Sequence, residues 1–187
     1  MIKEKTLKAM SILKKAGIVL AIIIGLPLVV AIFVSGDINY EKSITINKPI
    51  EEVWPNVSSL AAMDKWSPWN DLDPNMEKSM SGTDGEVGAM ASWESDVEEV
   101  GKGSQTISNI VKPTLFETDL KFYSPYESEA KGYVKLAEKG SKTVVTWGFS
   151  SEMPYPARIM LLFMNMEEEM DAEWNKGLGR LKEICEE

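Results

Sequence analysis

The sequence predicts an α+β protein in which an antiparallel sheet packs against a long C-terminal helix, after an apolar N-terminal helix. Three observations predict this fold class. Residues 16–34 contain no charged or strongly polar side chain. Between residues 76 and 149, short segments alternate polar and apolar residues between turns, as antiparallel strands do. From about residue 156 to the end, apolar residues recur at helical spacing.

Residues 1–36 are predicted to be a cytoplasmic stub and a transmembrane anchor. As a helix, the apolar run matches a hydrocarbon core about 30 Å thick. Five lysines and a single acid, Glu4, precede it. This bias places the N-terminus in the cytoplasm and residues 37–187 on the extracytoplasmic side. The alternative is export after cleavage of a signal peptide near Ser35, although the apolar run exceeds the length of about 7–15 residues typical of such peptides.

Composition excludes several classes of function. The net charge is −9, and residues 37–187 alone carry −13, so a nucleic-acid-binding surface is not expected. The chain has no histidine and one cysteine, Cys185. Triads that need histidine, histidine zinc sites and intrachain disulfides are therefore excluded. We predict no metal, no cofactor and no catalytic residue.

The domain is predicted to begin with a strand and two short helices. Residues 40–46 alternate as a strand does and end at an Asn-Lys-Pro turn. Pro49 and the two glutamates after it are typical of a helix start. A second short helix is predicted for residues 60–65. It ends before Pro68, because a proline disfavours helical geometry in the residue that precedes it.

About six strands follow, near residues 76–80, 89–94, 103–111, 115–122, 127–136 and 143–149. Short turns between them indicate an antiparallel meander with one dry face and one wet face. The dry face is predicted to carry aromatic and small residues, among them Ala91, Trp93, Phe122, Gly132 and Trp147.

A long helix is predicted from about residue 156 to residue 186. Gly177 and Gly179 are expected to weaken it locally. It is the only element large enough to cover the dry face of the sheet. The apolar residues that keep helical spacing along it include Ile159, Phe163, Met166, Met170, Trp174 and Cys185.

Four strings carry a resemblance to a known superfamily: EKSITINKPIEEVWPNV at 41–57, KWSPWNDLDPNM at 65–76, VGAMASWES at 87–95 and TVVTWGFS at 143–150. Over about residues 38–185 the chain resembles the SRPBCC or START-like (Bet v 1-like) superfamily, in its polyketide cyclase/dehydrase and lipid-transport branch. The resemblance implies a helix-grip fold, in which a curved sheet wraps the C-terminal helix and leaves an apolar cavity between them. It implies a lipid or other hydrophobic small molecule as ligand and transfers no catalytic residue.

Aromatic and methionine residues form the candidate ligand-binding set. Rigid aromatic rings and flexible methionines suit an apolar ligand of irregular shape. The alternative is that these side chains only fill the core. The candidate residues are Trp66, Trp69, Trp93, Phe122, Trp147, Phe163, Met166 and Met170.

The leading hypothesis is a membrane-anchored, non-catalytic domain that encloses a lipid or another hydrophobic small molecule. The first alternative is a cyclase/dehydrase-like enzyme that acts on an apolar substrate in the same cavity. It needs a proton donor or acceptor there. The predicted dry faces offer only Thr118, Ser128 and Thr143, to which a loop could add a carboxylate. The second alternative is an interaction protein whose ligand is another protein, which an exposed apolar patch would favour.

Overall fold

A computed structural model describes the backbone of residues 2–187 and the side chains from residue 13 onward, except those of residues 166, 167 and 169. The chain divides into two compact units. The first unit comprises Met1–Gly36 and Met153–Asn165, and the second comprises Asp37–Glu152 and Met166–Glu187. Residues 153–165 are thus an insertion in the sequence of the second unit that packs with the N-terminal segment.

The first unit is built on helix α1, Ile2–Phe33. Within the described part of the chain, α1 alone is long and apolar enough to cross a membrane, over Leu13–Phe33. The predicted apolar N-terminal helix is therefore confirmed. A 3₁₀ turn, Ala157–Leu162, completes the unit.

The second unit contains one seven-stranded sheet in which every neighbouring pair is antiparallel. The spatial order is β1-β7-β6-β5-β4-β3-β2, so the first strand pairs with the last and the others follow the chain. The predicted meander is confirmed. The strands are β1 Asp37–Ile46, β2 Glu77–Ser81, β3 Met90–Glu94, β4 Lys102–Val111, β5 Leu115–Ser124, β6 Ser128–Lys139 and β7 Lys142–Glu152.

Two short helices, α2 (Ile50–Val53) and α3 (Leu60–Asp64), connect β1 to β2 together with 3₁₀ turns at Trp54–Asn56 and Pro68–Asp71. The start of α3 is capped twice. The Ser59 hydroxyl accepts a hydrogen bond from Ala62 N at 3.1 Å. The Asp84 carboxylate accepts from Leu60 N at 2.8 Å, which ties α3 to the turn before β3. Such caps satisfy backbone donors that the helix leaves free.

The last helix, α4, spans Met166–Glu186, so the predicted start near residue 156 is wrong. The apolar spacing of residues 159–163 belongs to the 3₁₀ turn instead. Asn165, a residue type common at helix N-caps, and the three glutamates that follow Met166 are the sequence signature of a helix start. Apolar periodicity obscured this start, since a 3₁₀ turn and an α-helix place neighbouring apolar residues similarly.

The core lies between α4 and the end of the sheet formed by the closing half of β6 and the opening half of β7. Leu178 and Leu181 of α4 are buried, as are Val134 and Val145 on the sheet. The helices α2 and α3 complete this core through Val53 and Leu60. The sheet and the C-terminal helix therefore have the helix-grip arrangement.

Candidate functional site

Four tryptophans interlock where α4 meets the sheet. Trp147 of β7 stacks on Trp174 of α4, with ring centroids 4.5 Å apart and an interplanar angle of 23°. Trp66 and Trp69 contact Trp147 edge-on at 4.9 Å and 5.7 Å. Such edge and offset contacts are favourable geometries for aromatic pairs. This tryptophan cluster closes the space between α4 and the sheet at that point.

Two of the four indole N–H groups of the cluster donate hydrogen bonds to nearby backbone carbonyls. Trp66 Nε1 donates a hydrogen bond to Asn56 O at 3.0 Å, and Trp174 Nε1 donates to Trp147 O at 3.2 Å. A buried indole N–H without a partner would cost about 1–3 kcal/mol, so these bonds permit the rings to be buried. The cluster is thus a rigid wall.

A cavity of about 680 Å³ begins at this wall and extends along the inner face of the sheet, over strands β2 to β5. Its volume falls within the roughly 300–1,000 Å³ range of small-molecule sites. The tryptophan cluster forms one side, and strands β2 to β5 form the floor. The apolar side chains around it include Met63, Trp66, Trp69, Met76, Met80, Ala91, Trp93, Val100, Leu120, Phe122, Trp147, Phe149 and Trp174.

Small residues keep the floor of this cavity hollow. The strand register aligns Met80, Ala91, Gln105 and Leu120 in one row across β2 to β5. Ala91 in that row leaves space that a larger side chain would occupy. Gly132, in the row beside it, lets its neighbours pack close, since a Cβ atom there would lie 2.9 Å from Thr118 Oγ1 and 3.1 Å from Leu120 Cδ1. The hollow therefore follows from which residues fall on the inner face of the sheet.

Trp93 lies flat along the floor because its cross-strand neighbour is a glycine. Gly103 pairs with Trp93, and a Cβ atom at Gly103 would collide with the indole ring and lie 2.7 Å from Lys121 O. The Trp93 ring contacts Phe122 edge-on at 5.9 Å, and its Nε1 donates to Val100 O at 3.2 Å. Trp93 and Phe122 are thus held as a second aromatic wall.

One polar side chain, Gln105, lies half-buried on the floor. Its Nε2 donates a hydrogen bond to Thr118 Oγ1 at 2.9 Å, and the Thr118 hydroxyl in turn lies 3.4 Å from Gly132 O. Thr118 is only 1% exposed. This chain of hydrogen bonds fixes the amide within an otherwise apolar surface, which is the usual composition of a ligand site.

Charged groups lie at the rim of the cavity. Lys78 Nζ lies 2.7 Å from both Asp64 Oδ1 and Asn70 Oδ1. Both partners of this ion pair are solvent-exposed, so its contribution to stability is small. Glu99 and Tyr126 are also exposed lining residues. The titratable groups that line the cavity are therefore at its mouth, and its interior is uncharged.

Two carboxyls with lowered pKa values, Asp71 and Asp171, lie outside the cavity, where they attach α4 to its neighbours. The guanidinium of Arg180, 2.5 Å away, and the ammonium of Lys176 lower the pKa of Asp71. On the opposite side, Lys42 and the Tyr40 hydroxyl lower the pKa of Asp171. These contacts position α4.

Two further groups with shifted pKa values lie away from the cavity. Burial raises the pKa of the Cys185 thiol, so its reactive thiolate form is disfavoured. Desolvation, with a smaller effect from Glu41, raises the pKa of Tyr133 to about 12. Neither group lines the cavity.

Five of the eight predicted site residues line the cavity: Trp66, Trp69, Trp93, Phe122 and Trp147. Met170 packs against the core cluster and is not among the lining residues. Phe163 belongs to the first unit and is 85% exposed, so it is not a lining residue, because the last helix starts three residues after it. The side chain of Met166 lies outside the described residues.

Several lining residues, among them Gln105, Leu120 and Trp174, are absent from the predicted set. Gln105 was missed because residues 103–111 are polar on both faces and show no alternation that assigns an inner side. Trp174 had been placed only on the apolar stripe of the helix, although it lines the end of the cavity. The signal for Leu120 was present, since it alternates in phase with Phe122.

In the described part of the chain, no group of three or more Asp, Glu, Cys or His side chains is placed to hold a metal ion. The site offers instead aromatic faces, thioethers and two amides, Gln105 on the floor and Asn70 at the rim. Its chemistry suits the enclosure of an apolar molecule.

Comparison with known proteins bears on the fold. No family model matches the chain, and no curated protein matches it. Many solved structures do. A protein from Nitrosospira multiformis is 20% identical over 78% of this chain and 94% of its own, with a TM-score of 0.56.

Two further solved structures match the chain over a similar length. Ara h 8.0201 is 11% identical over 80% of this chain and 98% of its own, with a TM-score of 0.54. Aha1 from Colwellia psychrerythraea, whose structure is a dimer in solution, is 15% identical over 80% and 96%, with a TM-score of 0.54. Identities this low establish shared architecture alone: the second unit has the Bet v 1-like, helix-grip fold.

Proposed function

We propose that this chain is a membrane-anchored, non-catalytic domain that encloses a lipid or other hydrophobic small molecule in the cavity between the sheet, the tryptophan cluster and α4. The observation that carries the proposal is the cavity of about 680 Å³ with aromatic and methionine walls. Removal of apolar surface from water would drive binding, at about 25 cal/mol per Å².

The anchoring part of the proposal rests on α1. Leu13–Phe33 has the length and composition of a membrane span, and the lysines before it favour a cytoplasmic N-terminus. An anchor would keep the cavity near the bilayer, where apolar ligands are concentrated. The intact mass of the protein recovered from membranes tests this, since retention of all 187 residues gives 20.9 kDa and signal cleavage gives a smaller mass.

The cyclase/dehydrase alternative is not favoured by the cavity interior. General acid–base catalysis needs a proton donor or acceptor within hydrogen-bond reach of the substrate. The carboxyls among the described lining residues, Asp64 and Glu99, and the phenol of Tyr126 are exposed at the rim. Gln105, the half-buried polar group on the floor, does not titrate and suits hydrogen bonding to a bound molecule.

The test uses a side chain that fills the cavity. Ala91→Trp adds an indole on the floor, and Ala172→Trp adds the same group at an exposed position of α4 that does not line the cavity. We expect Ala91→Trp to weaken binding of the neutral probe N-phenyl-1-naphthylamine about tenfold, because about 55 Å² of lost apolar contact costs roughly 1.4 kcal/mol.

Binding is measured on the full chain in lipid nanodiscs, by energy transfer from the tryptophans to the probe. All six tryptophans belong to the second unit, so the signal reports the probe near that unit. Ala172→Trp should bind as the wild type does. Equal affinity in the wild type and both variants would refute enclosure in this cavity.

A further inference from the structure

The insertion Met153–Asn165 has a composition unlike that of the domain around it. Its sequence is MPYPARIMLLFMN, with Arg158 as its one charged residue. The domain outside it is strongly acidic. A surface segment of a water-soluble domain would carry more charge, and this one is dominated by apolar side chains.

This insertion packs on α1 within the first unit. Met153 N donates a hydrogen bond to Gly36 O at 2.8 Å, just after the end of α1. The Tyr155 hydroxyl donates to Leu28 O at 3.3 Å. The 3₁₀ turn Ala157–Leu162 then lies against the helix. The insertion and the C-terminal part of α1 thus form one structure.

The insertion lies at the level of the apolar run of α1. Leu28 stands five residues before Phe33, the last residue of α1, which is roughly 7.5 Å along the helix axis at 1.5 Å per residue. A tyrosine hydroxyl bonded at that level is where interfacial tyrosines lie in membrane proteins.

The apolar side chains of the insertion are exposed beside those of α1. Phe163 is 85% exposed, Leu162 56% and Met160 54%. Phe33 and Ile32 at the end of α1 are 83% and 63% exposed. The exposed apolar surface of α1 thus continues onto the insertion that packs against it. If α1 lies in lipid, this continuous surface favours lipid around the insertion as well.

We infer that Met153–Asn165 is an interfacial membrane element, whose Met160, Leu162 and Phe163 side chains insert into the phospholipid bilayer beside α1. This inference rests on the anchoring part of the proposed function and goes beyond it. The insertion joins Glu152 to Met166 of the second unit. It would therefore attach the chain to the bilayer at a second point in the sequence, in addition to α1.

The test measures the lipid exposure of single nitroxide labels on the full chain. In a Cys185→Ser background, cysteine is introduced at Phe163, at Ile24 in the middle of α1, or at Glu138 in the β6–β7 turn. Each labelled protein is placed in vesicles of phosphatidylethanolamine and phosphatidylglycerol. Collision rates with oxygen, which concentrates in lipid, and with a water-soluble nickel complex are compared by power-saturation spectroscopy.

We expect the label at Phe163 to favour oxygen, as the label at Ile24 does but at a shallower depth, while the label at Glu138 favours nickel. Phe163→Cys is a mild change because the side chain is exposed, and Leu162→Cys is a second reporter that should agree with it.

Three results would overturn the inference, and they differ in what they leave standing. If Ile24 favours oxygen while Phe163 and Leu162 favour nickel, the insertion lies in water and only the anchor stands. If both labels are shielded from both reagents, protein covers the patch, as a second copy of the chain would. If Ile24 itself favours nickel, the anchor fails and the inference fails with it.

Discussion

Gly177 and Gly179 lie two residues apart on α4 and have different surroundings. A Cβ atom at Gly177 would lie 2.8 Å from Trp147 Cζ3 and 3.4 Å from Trp66 O, whereas a Cβ at Gly179 meets nothing within 4 Å. Replacement of glycine by alanine inside a helix is favourable by about 1 kcal/mol on propensity alone. At Gly177 this gain is opposed by overpacking against a buried ring, which costs about 1–3 kcal/mol.

We therefore expect Gly177→Ala to lower the free energy of unfolding by up to about 2 kcal/mol and Gly179→Ala to raise it by about 0.5–1 kcal/mol. Urea unfolding of the full chain in detergent micelles, followed by tryptophan fluorescence, measures both changes. A stabilisation of similar size by both substitutions would show that the tryptophan cluster is loosely packed around Gly177.

The sequence alone predicted the same effect for both glycines, a local weakening of the helix. Helix propensity is a local property that the sequence displays, while the approach of Trp147 to the helix is a tertiary contact. The same limit applies to Gly103, whose role in seating Trp93 depends on a cross-strand pairing. Local patterns thus identified aromatic residues of the site and missed the roles of Gly103 and Gly177, which make room for the rings of Trp93 and Trp147.

The helix α4 is held to the rest of its unit by ion pairs as well as by its apolar face. Asp71, at the end of the 3₁₀ turn Pro68–Asp71, pairs with Arg180 and Lys176 of α4, which lower its pKa below the ordinary value of 3.8. A carboxyl whose pKa is lowered by folding contributes stability above the unfolded-state pKa. That contribution is lost as the pH falls through the folded-state pKa.

Asp71→Asn should therefore destabilise the protein at neutral pH, and the difference from the wild type should vanish at low pH. Urea unfolding measured from about pH 7 to about pH 3 should show the difference to be constant at first and then to shrink below about pH 4. Glu138→Gln controls for the change in net charge and should not reproduce this loss. A difference that stays the same at every pH would contradict the role assigned to Asp71.

The elements of the sheet could be predicted from the sequence because strand alternation and turn residues are local signals. The start of α4 could not, since Ile159 and Phe163 continue the apolar spacing of the helix across a segment that belongs to the other unit. Because of this spacing, Phe163 was wrongly included among the predicted ligand-binding residues. Periodicity shows which residues are apolar at helical spacing, but not that two parts of such a stripe pack in different units.

At the scale of the whole molecule, the second unit has a packed half and a hollow half under one continuous sheet. Val134, Leu136 and Val145 on β6 and β7 are at most 4% exposed. Strand β2, at the opposite edge, has no buried residue, and its neighbour β3 covers the cavity. Few buried contacts mean a low free energy of local opening.

Hydrogen exchange should therefore divide the sheet in two. We expect amides of β6 and β7 to exchange through global unfolding, and amides of β3 to exchange through local opening that costs at least about 2 kcal/mol less. Mass spectrometry of the full chain in nanodiscs measures both sets of amides. Ala91→Trp should slow exchange in β3, since the indole adds contacts across the hollow, whereas Ala172→Trp should not. Equal protection of β3 and β7 in the wild type would contradict this prediction. It would mean that the cavity does not lower the free energy of local opening in the strands that line it.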